Sequence, residues 1–174
     1  KGEISSVDVD GSIGIQVNGG VTTNLTNSAV IKIVDSLDQG AASTNTDSDA
    51  DLDGPFANGT GRYGIRITGP GAVTGNILND ATGSISVEGN NSWGISLESA
   101  LVGNFTNLGT VRVIGNNSYG IQITGPVTGT VFAQGSVSTQ GQNAVAIAVD
   151  GDVTGPLQFQ GVVSSTGYRY STRP

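Results

Sequence analysis

The chain has 174 residues with 28 glycines and no histidine, cysteine or methionine, and 14 acidic against 7 basic residues give a net charge of −7. These counts exclude histidine triads, thiol catalysis, disulfides and cysteine- or histidine-based zinc sites. They also exclude a nucleic-acid-binding surface, which needs clustered positive charge.

Valine and isoleucine together (33) outnumber leucine (8), which favours strands over helices. No apolar run approaches the ~18 residues of a membrane-spanning helix, so no such transmembrane segment is expected. From the start, Lys1 to Ile4 enters a strand pattern, and Ser12-Ile13-Gly14-Ile15-Gln16-Val17 gives the first copy of a repeated line. Val21-Thr22-Thr23-Asn24 opens a second line. Residues 35–61 then break the pattern with an Asp-rich loop insertion. The first line returns as Arg62-Tyr63-Gly64-Ile65-Arg66-Ile67, Ser92-Trp93-Gly94-Ile95-Ser96-Leu97, Ser118-Tyr119-Gly120-Ile121-Gln122-Ile123 and Ala144-Val145-Ala146-Ile147-Ala148-Val149. The second returns at Val73, Leu101, Val127 and Val153.

The step from Gly94 to Gly120 to Ala146 is 26 residues each time, while Gly64 to Gly94 is 30 and Gly14 to Gly64 is 50. Three strands of roughly 3–5 residues with their turns need roughly 20–26 residues. A motif that returns in register at that period is the signature of stacked repeats. The sequence therefore predicts an all-β, right-handed parallel β-helix of about five coils, spanning 1–174 as one solenoid domain with the insertion at about 35–61. A β-sandwich would need hairpin turns but not this periodicity. No segment shows helical apolar spacing free of glycine.

Equivalent positions in a solenoid stack about 4.8 Å apart. Ile15, Ile65, Ile95, Ile121 and Ile147 are predicted as one core column, and Val17, Ile67, Leu97, Ile123 and Val149 as a second. By parity Tyr63, Trp93 and Tyr119 should point inward or pack at a corner as an aromatic ladder. Their alternative is a ligand-binding platform for glycans. The column of Gly14, Gly64, Gly94, Gly120 and Ala146 has opposite parity and is expected outward, or at a bend. Asn27, Asn79 and Asn107 align, as do Asn24, Asn76 and Asn104, and stacked amides can form ladders.

Asp49, Asp51, Asp53 and Gly54 match the opening of a calcium loop, D-x-D-x-D-G, but Thr60 stands where the closing glutamate belongs. Asp47, Asp49, Asp51 and Asp53 are thus the candidate ligands for weak calcium, with a solvated acidic loop as the alternative and no other cofactor expected. Asp150 and Asp152 lie close in sequence, yet general acid and base work needs one carboxyl partly buried. No catalytic residues are assigned, and the chain is expected not to be an enzyme.

Gly115-Asn116-Asn117-Ser118-Tyr119-Gly120-Ile121 and Gly141-Gln142-Asn143-Ala144-Val145-Ala146-Ile147, with the tail Gly167-Tyr168-Arg169-Tyr170-Ser171-Thr172-Arg173-Pro174, resemble passenger regions of bacterial autotransporter proteins. The resemblance covers nearly the whole chain except the insertion. It implies a β-helix displayed on, or released from, a Gram-negative cell, cut from a longer precursor, with no catalytic residues to carry over. The expected function is an extracellular structural protein, a surface stalk or a self-stacking filament subunit. Its partners would be a second copy end to end or neighbouring coils of the same precursor. An adhesin that binds surface glycans is the alternative, and a polysaccharide-active enzyme comes third.

Overall fold

A computed structural model of the protein describes residues 2–36 and 57–168. Its regular structure there is all strand, wound as a β-solenoid of about six turns. Strand β1 (Glu3–Val7) leads. The first full coil holds β2 (Ile13–Asn18), β3 (Leu25–Asn27) and β4 (Val30–Val34). The second holds β5 (Tyr63–Thr68), β6 (Val73–Thr74), β7 (Ile77–Asn79) and β8 (Ser84–Glu88). The third holds β9 (Trp93–Leu97), β10 (Leu101–Val102), β11 (Phe105–Asn107) and β12 (Thr110–Ile114). Then come β13 (Tyr119–Ile123), β14 (Val131–Ala133) and β15 (Ser136–Gln140), and finally β16 (Val145–Val149), β17 (Leu157–Phe159) and β18 (Val162–Thr166).

Three parallel sheets form the walls. The first runs β1-β4-β8-β12-β15-β18, the second β2-β5-β9-β13-β16 and the third β3-β7-β11-β14-β17, with a short β6-β10 pair between the last two. The repeats predicted about five coils. The additional layer is β1, which precedes the first copy of the repeated line and so left no spacing to count.

The core follows the register. Ile15, Ile65, Ile95, Ile121 and Ile147 stack as one column, and Val17, Ile67, Leu97, Ile123 and Val149 as the next. The first sheet adds Ile4, Ile31, Ile85, Val111, Val137 and Val163, and the third adds Leu25, Ile77, Phe105, Val131 and Leu157. In the middle coils these side chains are fully buried. Each contributes on the order of 1.5–3 kcal/mol relative to exposure.

The glycine column faces inward, not outward. A Cβ on Gly94 would lie 2.3 Å from Val111 Cγ1 and 2.5 Å from the Gly120 carbonyl oxygen. Gly64 and Ile65 are both buried, and so are Gly94 and Ile95. Two successive inward residues mean that the strand bends at the glycine, and ladder pairing skips that position. The bend expected as the alternative at this column is thus what forms, and it resets the parity, so alternation alone puts the glycines and the aromatics beside them on the wrong faces. Gly94→Ala is therefore expected to destabilise by about 1–3 kcal/mol through overpacking against backbone, read as a lower urea midpoint at unchanged slope.

The corner from the first sheet to the second repeats one turn. Asn91, Asn117 and Asn143 hold φ of 48°, 52° and 55° there. Asparagine tolerates this left-handed conformation because its short side chain bonds locally. The repeated Asn-Asn and Gln-Asn pairs are therefore turn chemistry.

Candidate functional site

The outer face of the second sheet carries the most distinctive side chains. Tyr63, Trp93 and Tyr119 stack along the solenoid, half-buried on its surface. Their ring centroids are 4.6 and 6.2 Å apart and their planes are within 7° of parallel. The parity expectation of inward rings is corrected by the bend at glycine, and a ladder results. Both faces of Trp93 are taken by its neighbours. Arg66 Cζ sits 4.4 Å from the Tyr63 centroid. Sugar C–H groups need an open ring face, so this ladder offers a glycan mainly ring edges. The Trp93 indole N–H is itself engaged, donating to Gln122 Oε1 at 2.7 Å.

A polar network lies beside the rings. Arg66 grips Glu98 with two bonds, Nε to Oε1 at 2.8 Å and an Nη to Oε2 at 3.0 Å. The hydroxyls of Thr68 and Ser96 also donate to Glu98, at 2.7 and 3.0 Å. Burial by itself would raise the Glu98 carboxyl, but these donors outweigh it and hold it below the usual range. Burial pushes the Tyr63 phenol up, and the bond to Glu98 raises Arg66. On another corner, Asp80 accepts from the hydroxyls of Ser28 and Thr82, which bring it down to about 2. Lowered carboxylates stabilise the fold above their ordinary values, and that stability is lost as pH falls through the lowered ones. The thermal midpoint should thus fall from about pH 4 down to the Asp80 value of about 2. The Glu98→Gln and Asp80→Asn variants should each flatten that decline.

The asparagine columns form ladders as expected. Asn27 Nδ2 donates to Asn79 Oδ1 at 2.8 Å, and Asn79 Nδ2 to Asn107 Oδ1 at 2.7 Å, all three residues being buried. Asn24, Asn76 and Asn104 accept backbone N–H groups of Asn76, Asn104 and Thr130, and Asn104 Nδ2 also donates to Asn76 Oδ1 at 3.1 Å. Asn90 and Asn116 make a further such ladder, accepting from Asn116 and Gln142 N–H.

One constellation escaped the sequence reading. Arg62 is 1% exposed and paired at 2.8 Å with an equally buried Asp35. Its Nε donates to the Val9 carbonyl at 3.0 Å and an Nη to the Glu88 carbonyl at 2.6 Å. Asp35 also accepts from the N–H groups of Asn58 and Gly59, at 2.7 and 3.3 Å. Ser36 N–H donates to Asp8 and Thr60 N–H to Asp10. Both ends of the insertion are thus pinned at one corner, around a polar cavity of about 170 Å³ lined by Asp8, Asp10, Asp35, Asn58, Gly59 and Arg62. The available signal was an arginine in a column that otherwise reads Ser12, Ser92, Ser118 and Ala144.

The calcium candidates Asp47, Asp49, Asp51 and Asp53 lie outside the described residues. Among the described residues no group of three or more carboxylates is placed to hold a metal ion. Asp150 and Asp152 are both exposed, and Asp150 accepts from Gln122 at 3.2 Å. Neither has the partial burial that general acid and base work needs.

These features define a β-solenoid repeat protein. No protein-family model, curated protein or solved structure matches the chain.

Proposed function

We propose that the chain is a non-enzymatic structural solenoid of the autotransporter-passenger type, held outside a Gram-negative cell as a surface stalk. The supporting observation is where its polar groups go. The asparagine columns and the Arg62–Asp35 pair are spent on joining one coil to the next or pinning the insertion. Among the described residues, the outer faces bring together no pair of partly buried carboxyls. A rod built this way transmits load through backbone ladders and stacked side chains. Antibodies to the folded domain should label intact, unpermeabilised cells of the source organism or its culture medium. Labelling that appears only after permeabilisation would overturn this placement.

A self-stacking filament subunit is the second reading, favoured by one observation. Among the described residues, Ile147, Val149, Leu157, Phe159 and Val163 line an open apolar cavity of about 420 Å³. Strands β16, β17 and β18 all lie at sheet edges there.

A further inference from the structure

The three walls of the solenoid differ in charge. The first sheet carries Glu3, Lys32 and Arg112 on its outer face, and the second carries the Arg66–Glu98 pair. The third sheet, with the β6–β10 pair beside it, carries no charge on its outer face among the described residues. Its outward side chains form three columns. Thr22, Thr74, Val102, Thr128 and Thr154 make the first. The exposed ladder of Asn24, Asn76 and Asn104 runs through the second. Leu78, Thr106 and Phe132 stand in the middle of the third. Val102 is 45% exposed, and Leu78 and Phe132 are half-buried. A chain of net charge −7 repels its own copies. On this wall two copies meet without opposing charges of one sign, and each has hydrocarbon to cover.

The pattern is also self-complementary. A twofold axis running along the strands at Val102, in the third coil, reverses the order of the coils and leaves each column facing itself. Val102 then meets the partner's Val102, and Thr74 meets the partner's Thr128. Leu78, one layer to one side of the axis, meets the partner's Phe132, one layer to the other. At the corner, Asp80 meets the partner's Gln134 and not a second carboxylate. An axis along the solenoid would instead set Leu78 against the partner's Thr74 and Phe132 against the partner's Thr128, hydrocarbon on hydroxyl. Reciprocal pairing of two different residues is what a twofold contact between identical chains requires.

We infer that this wall docks a second copy of this chain, antiparallel, about the axis at Val102. Sheets packed face to face in this way keep their strands within about 30° of alignment. The wall is five layers tall at ~4.8 Å and about six residues wide at ~3.3 Å, so roughly 480 Å² of each copy is covered. About 1,000 Å² in total stands at the low end of specific interfaces, so the dimer is weak and reversible. The inference needs no particular location for the protein. It and the surface-stalk reading fail separately.

Sedimentation of the full chain across a concentration series tests it. The intact chain should pass from monomer to dimer. Added salt should tighten the dimer, because it screens the repulsion left between the other walls. Val102→Glu brings two like charges together on the axis and should raise the dissociation constant at least ~10-fold, the change that ~1.4 kcal/mol produces. Leu78→Glu and Phe132→Lys should each weaken the dimer. Combined in one chain they should restore it, because each new charge then faces its opposite across the axis. Ser138→Glu, on the outer face of the first sheet, should leave it unchanged. Thr74→Glu with Thr128→Lys makes the same cross-pair at fully exposed positions and should tighten the dimer even where the half-buried pair does not tolerate charge. A chain that stays monomeric at every concentration would overturn the inference, including one whose wall captures a neutral glycan. So would a dimer indifferent to Val102→Glu, or cross-pairs that bind no tighter than their single variants.

Discussion

Arg62→Ala is expected to lower stability by about 3–5 kcal/mol, because it strands the Asp35 carboxylate in a buried site. Among the described residues, Asp35 would keep the N–H groups of Asn58 and Gly59. The carbonyls of Val9 and Glu88 would lose their donor. Gly59 packs so close to the guanidinium that a Cβ there would lie 2.0 Å from Arg62 Cζ, so truncation also opens a void. Arg62→Lys should restore little, since an ammonium cannot fork to three acceptors in one plane. The double variant Arg62→Leu with Asp35→Leu should cost less than Arg62→Ala alone, because no charge is left unpaired. Urea unfolding of the single and double variants closes the cycle. Equal losses for the singles and the double would show that packing, not the ion pair, holds this corner.

Asn79→Ala carries the second large effect. Asn79 is the middle rung of the buried ladder, and its loss leaves Asn27 without its strong acceptor and Asn107 without its donor. Each unsatisfied buried group costs about 1–3 kcal/mol, so the pair amounts to roughly 2–6 kcal/mol. Gly83 sits against the same amide, with a built Cβ 2.2 Å from Asn79 Oδ1, which leaves little room for a larger replacement. Asn104→Ala is the matched control. Its ladder is exposed, so water can take over and the loss should stay within about 1 kcal/mol. Comparable losses at both positions would mean that the ladders act through turn conformation and not through burial.

Much of this architecture was legible in the sequence because stacking converts period into contact. The recurring lines named the isoleucine columns and, at steps of 52 and 28 residues, aligned Asn27, Asn79 and Asn107. The direction of the glycines was not legible. Alternation assumes an unbent strand, and the bend at Gly64, Gly94 and Gly120 sends two successive residues inward. Tyr63, Trp93 and Tyr119 were displaced to the surface by the same event. The Arg62–Asp35 pair was hidden for another reason. Its members stand 27 positions apart on either side of the insertion, and neither lies in a repeating column of charge. Strand β1 escaped because a single layer before the first copy has no period.

The pinned corner has a consequence for chain length. Asp35 spans the junction by accepting from Asn58 and Gly59, so the two points where the chain leaves and rejoins the wall are fixed by groups outside the loop. Closing a longer loop across fixed points is entropically mild, about 0.6 kcal/mol for each doubling. Changes in chain length between Ser36 and Ala57 are therefore expected to leave the Asp35 bonds to Asn58 and Gly59 in place, read as a urea midpoint close to that of the intact chain. The solenoid thus joins a regular ruler to one socket of fixed width.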